Sequence, residues 1–458
     1  VAKVLTLAAG AAFLAMLDAT VTNLAVADLG HDFGSPIADL SWVVSAYFIA
    51  FAALLTPAGR LAGVLGLRRL YVAGVGLFTL MSAVCAVAPS LGVLIGARAL
   101  QGAGAAAMIP ASLAILLVAV PAERRTGAIG LWSAAAALAA AAGPALGGIL
   151  VDVFGWRSVF VINVPLGLAL VAAARSLPVT ATGGRRPDLL GTALLVGGIA
   201  AVVLGLTEGP QWGWGAPATI GALAVGAVAT LVALVRSGRV PVPAIEVGLW
   251  RSRTFAVANV ASLLYGLALY PWMLLGVLVL TNVWGYSPLE AGLAMSPAAV
   301  IAAVCAVIAG RLSARIGTRT IVAAGGAVLF AAALWIALVL PQESDFLGLW
   351  LPGGVLIGIG TGALTTGTST AAALSVAPAR FADATGLNTT ARQLGGALGI
   401  AALAVLLGGR GQIADLSDYT HVYLFCALAS AGAGLAGLAL ARPARAPVLG
   451  GRELQPEG

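Results

Sequence analysis

Gly59-Arg60-Leu61-Ala62-Gly63-Val64-Leu65-Gly66-Leu67-Arg68 closes one long apolar run, and Gly310-Arg311-Leu312-Ser313-Ala314-Arg315-Ile316-Gly317-Thr318-Arg319 closes another, 251 residues later. Glycines and basic residues recur at the same steps in both. A further pair of runs aligns at an offset of 256, Gly130-Leu131 with Gly386-Leu387 and Gly143 with Gly399. The chain therefore reads as two similar halves with additional sequence between them.

The solvent of these halves follows from composition. Apolar residues make up 60% of the 458 and charged residues 9%, where soluble domains carry about 25%. That is too little charge to cover several water-facing cores, and lipid does not require it. Runs that meet the roughly 20-residue requirement of a membrane helix fall near 4–27, 41–62, 69–88, 91–118, 127–150 and 158–177. Two more fall near 189–207 and 217–235, and six near 254–281, 290–312, 319–340, 346–375, 384–408 and 419–441. The expected fold is all-α and integral to the membrane: 14 spans, as two pseudo-symmetric six-helix bundles plus two inserted helices. The expected division is a bundle over 1–177, inserted helices and connectors over 178–253, a second bundle over 254–441 and a frayed tail over 442–458. Lys3, the apolar run behind it and Ala25-Val26-Ala27 resemble a cleavable signal peptide. Asp18 would fall in or beside the core of that peptide, so this run is read as span 1.

An even number of spans puts both termini on one side. With the N-terminus in the cytoplasm, 20 of the 24 Lys and Arg residues collect on inner loops and tails, and Arg157 and Arg410 remain outside. This is the positive-inside pattern, and it accounts for the net charge of +7 without a nucleic-acid partner. Cys85, Cys305 and Cys426 sit inside apolar runs without CxxC spacing and read as packing residues. His31 and His421 are too far apart in sequence to suggest a metal site, so no metal or cofactor is expected. There is no GxxxxGK[ST] loop for ATP. A catalytic cluster or sizeable soluble domain, which a membrane enzyme or sensor would need, is not visible either. Duplicated bundles of this kind are the architecture of rocking-bundle transporters, with the site at the bundle interface near the midplane.

Several motifs follow one another in order. They are Leu17-Asp18-Ala19-Thr20-Val21-Thr22-Asn23-Leu24-Ala25 in span 1, Trp42-Val43-Val44-Ser45-Ala46-Tyr47 opening span 2, and Arg98-Ala99-Leu100-Gln101-Gly102-Ala103-Gly104-Ala105 in span 4. Gly143-Pro144-Ala145-Leu146-Gly147-Gly148 follows in span 5, then Gly155-Trp156-Arg157 with Phe160-Val161-Ile162-Asn163-Val164-Pro165, and Gly285-Tyr286-Ser287-Pro288 with Ala291-Gly292. Together they resemble the major facilitator superfamily, and within it the 14-span drug:proton antiporter branch. The resemblance implies export of small organic molecules in exchange for protons, with Asp18 and Arg98 in proton coupling. It also implies gate or kink roles for Gly59, Gly66, Arg68, Gly143, Pro144, Gly147, Gly148, Gly310 and Gly317. One departure stands out. The family's loop motif usually carries an Asp where this chain has Gly63, and Ala314 in the second copy. The inner gate is therefore expected to rest on other contacts, among Arg68, Arg124 and Arg125 with Glu123.

The residues themselves support part of this. At 1.5 Å per residue, Asp18 lies roughly 20 Å up span 1 and Arg98 roughly 10 Å below the outer edge of span 4, within a core about 30 Å thick. Both are thus at about the same depth. Each would cost about 2.5–3.5 kcal/mol at a helix centre, and pairing reduces that cost. Burial favours the neutral carboxyl and a nearby Arg the charged one, so separating the pair would drive proton uptake. A static staple between spans 1 and 4 is the competing reading. Gly143-Pro144 is expected to interrupt span 5, with a plain Pro kink as the alternative. Candidate cavity residues are Asn23, Trp42, Tyr47, Gln101, Trp132, Asn259, Tyr265, Tyr270, Asn388, Arg392 and Gln393. Apolar walls with such sparse polar anchors suit amphiphilic ligands. Trp212, Trp214, Trp284 and Trp350 read as interfacial belt residues. The expected partners are a small-molecule substrate, protons and the lipid bilayer, with the protein acting as a monomer. Import or facilitated passage of a small metabolite on the same fold remains the alternative.

Overall fold

The computed structural model describes residues 2–35, 37–175, 177, 188–407 and 416–441. Most of the 178–188 connector and the 442–458 tail lie outside these, as does Arg410. Among the described residues there are helices and no strands, because a lipid-embedded backbone must satisfy its own hydrogen bonds. In chain order they are α1 Ala2–Val21, α2 Val26–Phe33, α3 Ile37–Leu65, α4 Leu67–Ala86, α5 Leu91–Ala119, α6 Arg125–Phe154, α7 Ser158–Val161 and α8 Asn163–Ala174. Then follow α9 Leu189–Trp212, α10 Pro217–Ser237, α11 Arg253–Leu278, α12 Pro288–Val339, α13 Leu351–Leu374, α14 Phe381–Leu406 and α15 Leu416–Leu438.

Twelve helices among the described residues are long and apolar enough to cross a membrane. The expected 14 spans are therefore not all separate helices. Spans 10 and 11 run together as α12, and span 6 is the shorter apolar stretch Ser158–Ala174. At 1.5 Å per residue the 52 residues of α12 reach about 78 Å, more than twice the thickness of the hydrocarbon core. Its backbone leaves helical geometry once, at Gly317 (φ 83°), and Gly66 separates α3 from α4 with the same φ of 83°. Both positions belong to the repeated decapeptide, and both need a residue without Cβ.

Two close helix crossings join the halves. Between α3 and α14, a Cβ on Gly59 would lie 2.7 Å from the Ala382 carbonyl oxygen, and one on Gly386 2.6 Å from that of Leu55. Between α6 and α12, a Cβ on Gly310 would lie 2.7 Å from the Thr126 carbonyl oxygen, and one on Gly130 2.5 Å from that of Ala306. The second set is the first shifted by the sequence offsets of 251 and 256. Glycine is required here because backbone meets backbone.

The interruption expected at Gly143-Pro144 is absent: α6 runs unbroken from Arg125 to Phe154 with Pro144 inside it. Instead Gly143 faces Thr20 of α1, and Gly147 faces Val21 and Leu24. Pro144 packs toward Gly292 of α12, and Gly148 faces Leu289. The inserted α9 and α10 pack on each other through Gly198 and Gly226, and α9 lies against both α3 and α14. Trp350 is not a belt residue: it is buried, donates from Nε1 to the Ala294 carbonyl (3.2 Å) and meets Trp284 at 5.5 Å.

Candidate functional site

Asp18 of α1 and Arg98 of α5 meet. Arg98 Nη1 donates to Asp18 Oδ2 at 2.6 Å, and both residues are 0% exposed. The other carboxylate oxygen accepts from Gln101 Nε2 (2.9 Å) and Asn163 Nδ2 (2.7 Å). Gln101 lies three residues beyond Arg98 on the same helix face, so Arg98 Nη1 also reaches Gln101 Oε1 (2.7 Å). Gln101 Nε2 further donates to Ser82 Oγ of α4 at 2.7 Å. Arg98 Nε donates to the Val43 carbonyl of α3 (2.9 Å), and the guanidinium carbon lies 4.4 Å from the centre of the Tyr47 ring. Four helices thus converge on one ionised pair, and α8 contributes Asn163 at its first residue. Arg98 Nη2 and Asn163 Oδ1 have no hydrogen-bond partner among the described residues.

Four candidates from the second half, Tyr265, Tyr270, Arg392 and Gln393, fall into one neighbourhood. Tyr270 bonds through its hydroxyl to Gln393 Oε1, and Tyr265 to Thr365 Oγ1 (2.7 Å). Arg392 stands close enough to act electrostatically on both tyrosines, as Tyr270 does on Tyr47 of the first half. Arg392 Nη1 is buried and without a partner among the described residues. Asn388 Nδ2 donates to Ser262 Oγ at 2.7 Å. Asn259 instead bonds to the Phe255 carbonyl of its own helix (2.8 Å), and Trp132 Nε1 donates to Ser112 Oγ (3.1 Å) within the first half. Trp42 is half-buried near the start of α3. Asn23 is exposed in the short 3-10 turn after α1 and does not join the others.

The ion pairs at the α3–α14 crossing involve other residues than those expected to hold the gate. Arg60 Nη1 of α3 reaches Glu246 Oε2 (3.2 Å) and Asp383 Oδ2 (3.4 Å). Arg380 Nη1 reaches the same two oxygens at 2.6 and 3.3 Å. Thr56 of α3 and Thr390 of α14 share a hydroxyl–hydroxyl bond of 3.0 Å above them. Arg125 is engaged elsewhere, donating to the Leu117 carbonyl (2.9 Å) and lying 5.2 Å from the centre of the Phe381 ring. Arg68, Arg124 and Glu123 make no ion pair among the described residues. The carboxylate missing at Gly63 is thus supplied by α14 and by the connector that follows α10. Glu208 falls just past the expected span 189–207. It lies inside α9 rather than beyond it, is 1% exposed and bonds to Ser45 of α3.

Outside the spans, Asp32 accepts from Trp156 Nε1 (2.8 Å) and Arg157 Nη1 (2.7 Å), which hold its carboxyl below the usual range. Asp188 is held low in the same way by its bonds to Arg236, which clasp the ends of α9 and α10.

Residues 8–189 and 257–457 match the Major Facilitator Superfamily, leaving out the segment that carries the inserted helices. The methylenomycin A resistance protein of Streptomyces coelicolor is 34% identical over 413 residues, 89% of this chain and 85% of that one. The multidrug resistance protein Stp of Mycobacterium tuberculosis is 36% identical over 401 residues, 86% of this chain and 74% of that one. The cephamycin export protein CmcT of Amycolatopsis lactamdurans is 36% identical over 424 residues, 91% of this chain and 87% of that one. Among solved structures, the human organic anion transporter MFSD10 superposes with a TM-score of 0.65 at 17% identity, covering 93% of this chain and 99% of that one, which shows the fold alone. The chain belongs to the Major Facilitator Superfamily and is a multi-pass membrane transporter, not an enzyme.

Proposed function

We propose that this transporter exports small amphiphilic organic molecules, of the drug or antibiotic kind, in exchange for protons and by alternating access. The sealed Asp18–Arg98 pair carries the reading. An ionised pair fully removed from water is tolerable only while its carboxylate is met by hydrogen-bond donors. Asp18 accepts one bond from Arg98, one from Gln101 and one from Asn163. A movement of α5 against α1 that breaks these bonds leaves a bare carboxylate in low dielectric, and binding a proton removes its charge. The names of the relatives, resistance and export proteins, favour export over import. A survival panel in an efflux-deficient host, headed by methylenomycin A and a cephamycin, identifies a usable substrate. Transport of that compound under an imposed pH gradient then tests the coupling.

The reading includes 14 crossings, with α12 crossing twice about Gly317 and Ser158–Ala174 crossing once, and both ends of the chain in the bacterial cytoplasm. Bundles over 1–177 and 254–441 rock about the inserted segment. Gly215 and Gly63 test the orientation, since both are exposed with open space where a side chain would go. With the native cysteines replaced, Gly215→Cys is labelled by an impermeant maleimide from outside, and Gly63→Cys only after permeabilisation. The reverse pattern would contradict the orientation.

Arg392 assigns part of the substrate site. Its Nη1 is buried and unpartnered among the described residues, and the guanidinium is within electrostatic reach of Tyr265 and Tyr270, in the half opposite the proton site. A buried donor left unsatisfied costs about 1–3 kcal/mol, which an acceptor oxygen on the substrate removes. Arg392→Gln is expected to raise KM about tenfold, equivalent to about 1.4 kcal/mol, while proton coupling persists. An unchanged KM would remove Arg392 from the substrate site.

A further inference from the structure

The duplication places two gate interfaces in corresponding positions, and only one of them is electrically filled. Between α3 and α14, Arg60 and Arg380 are neutralised by Asp383 and Glu246. The offsets of 251 and 256 map Arg60 onto Arg311, Arg380 onto Arg124 and Asp383 onto Gly127. The carboxylate position is thus a glycine in the interface between α6 and α12. Glu246 comes from the single connector after α10, on the α3–α14 side. Ala314 stands where the repeated decapeptide would carry its own Asp.

A cavity of about 620 Å³ lies at that mapped place. Its charged lining is Arg124, Arg311 and Arg315 against Glu123, and none of the four forms an ion pair among the described residues. A Cβ on Gly127 would meet nothing within 4 Å. Apart from Thr126 the remaining wall is apolar, and it includes Leu5, Leu131, Ile308 and Leu312. The last three are also exposed on the outside of α6 and α12, so the cavity continues onto surface that faces acyl chains.

We propose that this cavity binds the phosphate head group of an anionic phospholipid of the inner leaflet, which ties α6 to α12 as Asp383 and Glu246 tie α3 to α14. The proposal rests on the orientation given above. Guanidinium pairs suit phosphate because they donate two parallel bonds, and three of them against one carboxylate leave an excess of positive charge for the head group. The acyl chain follows Leu131, Ile308 and Leu312 into the bilayer. Arg124 and Arg311 come from different halves, so one head group bridges them in this conformation and releases them when the gate opens.

Native mass spectrometry of the full chain, titrated with phosphatidylglycerol, phosphatidylcholine or inorganic phosphate, tests this without reference to transport. Phosphatidylglycerol is expected to bind at least about tenfold tighter than phosphatidylcholine. Arg124→Gln with Arg311→Gln should remove that preference. Gly127→Asp, which supplies the missing carboxylate in the first turn of α6 where helices favour acids, should remove it too. Arg60→Gln, at the filled interface, should leave it intact. Equal binding of both lipids to the native protein would overturn the proposal. So would a preference that survives Gly127→Asp and the double Arg variant, or displacement by inorganic phosphate at an affinity matching the lipid's. Because binding alone is read, a failure here is distinct from a failure of pH-driven transport or of the maleimide test of orientation.

Discussion

Asp18→Asn abolishes uphill export driven by a pH gradient, while the protein still reaches the membrane. Asn keeps the size of the side chain and cannot exchange a proton. The pair also predicts a structural consequence. Arg98 Nη1 would face an amide whose oxygen can serve either Arg98 or the Gln101 and Asn163 donors, but not all three as the carboxylate does. Removing one partner of a buried ion pair costs about 3–5 kcal/mol, so the single variant is less stable. Asp18→Asn with Arg98→Gln recovers part of that stability by removing the stranded charge, and recovers no gradient-driven transport. If the double variant transported uphill, the pair would be a staple rather than a proton site. Glu208, a carboxylate buried in α9 and bonded to Ser45 of α3 without an arginine partner, would then be the next candidate.

The second large effect concerns the inner gate. Among the described residues of α3, Arg60 alone bonds both Glu246 and Asp383, and its side chain is 13% exposed against 8% for Asp383. Arg60→Gln leaves two carboxylates to share Arg380. The gate should open more often, and Thr390→Cys, placed at the bond between α3 and α14, should react with maleimide from the inner face about tenfold faster, a shift of about 1.4 kcal/mol. Glu246→Gln should have a similar effect, and the two together should be less than additive, because they break one network. An unchanged rate in Arg60→Gln would show that the gate is held by the glycine crossings alone.

Much of this architecture is legible in the sequence because lipid imposes simple rules. Twenty apolar residues make a span, and an ionisable residue inside a span needs a partner. Asp18, Arg98 and Gln101 follow from depth and helical spacing alone. Asn163 is harder: it sits in a short span just after a loop, where an amide is unremarked until α8 is seen to deliver it to Asp18. Glu208 is misplaced because hydropathy ends a span at the first polar residue, whereas a helix ends where its backbone does, and Trp350 because its place near a span end does not reveal that Ala294 and Trp284 cover it. Glu246 leaves no local signal at all, since its partners are 186 and 134 residues away. The Arg380–Asp383 half of the gate is different. The offset that aligns Gly130 with Gly386 also aligns Arg124 with Arg380, so the repeat contains the clue, and the acid at 383 set against Gly127 is its asymmetry.

Exchange of substrate for protons through Asp18 is read by recording proton flux and substrate flux together. Purified protein is sealed into liposomes with a pH-sensitive dye inside, no other ion gradient is imposed, and the substrate from the survival panel is added on one side. Protons are expected to move opposite to the substrate, and substrate to accumulate uphill when a pH gradient is imposed instead, with both lost in Asp18→Asn. Substrate movement of native rate with no proton counter-movement, or full coupling in Asp18→Asn, would contradict exchange through Asp18.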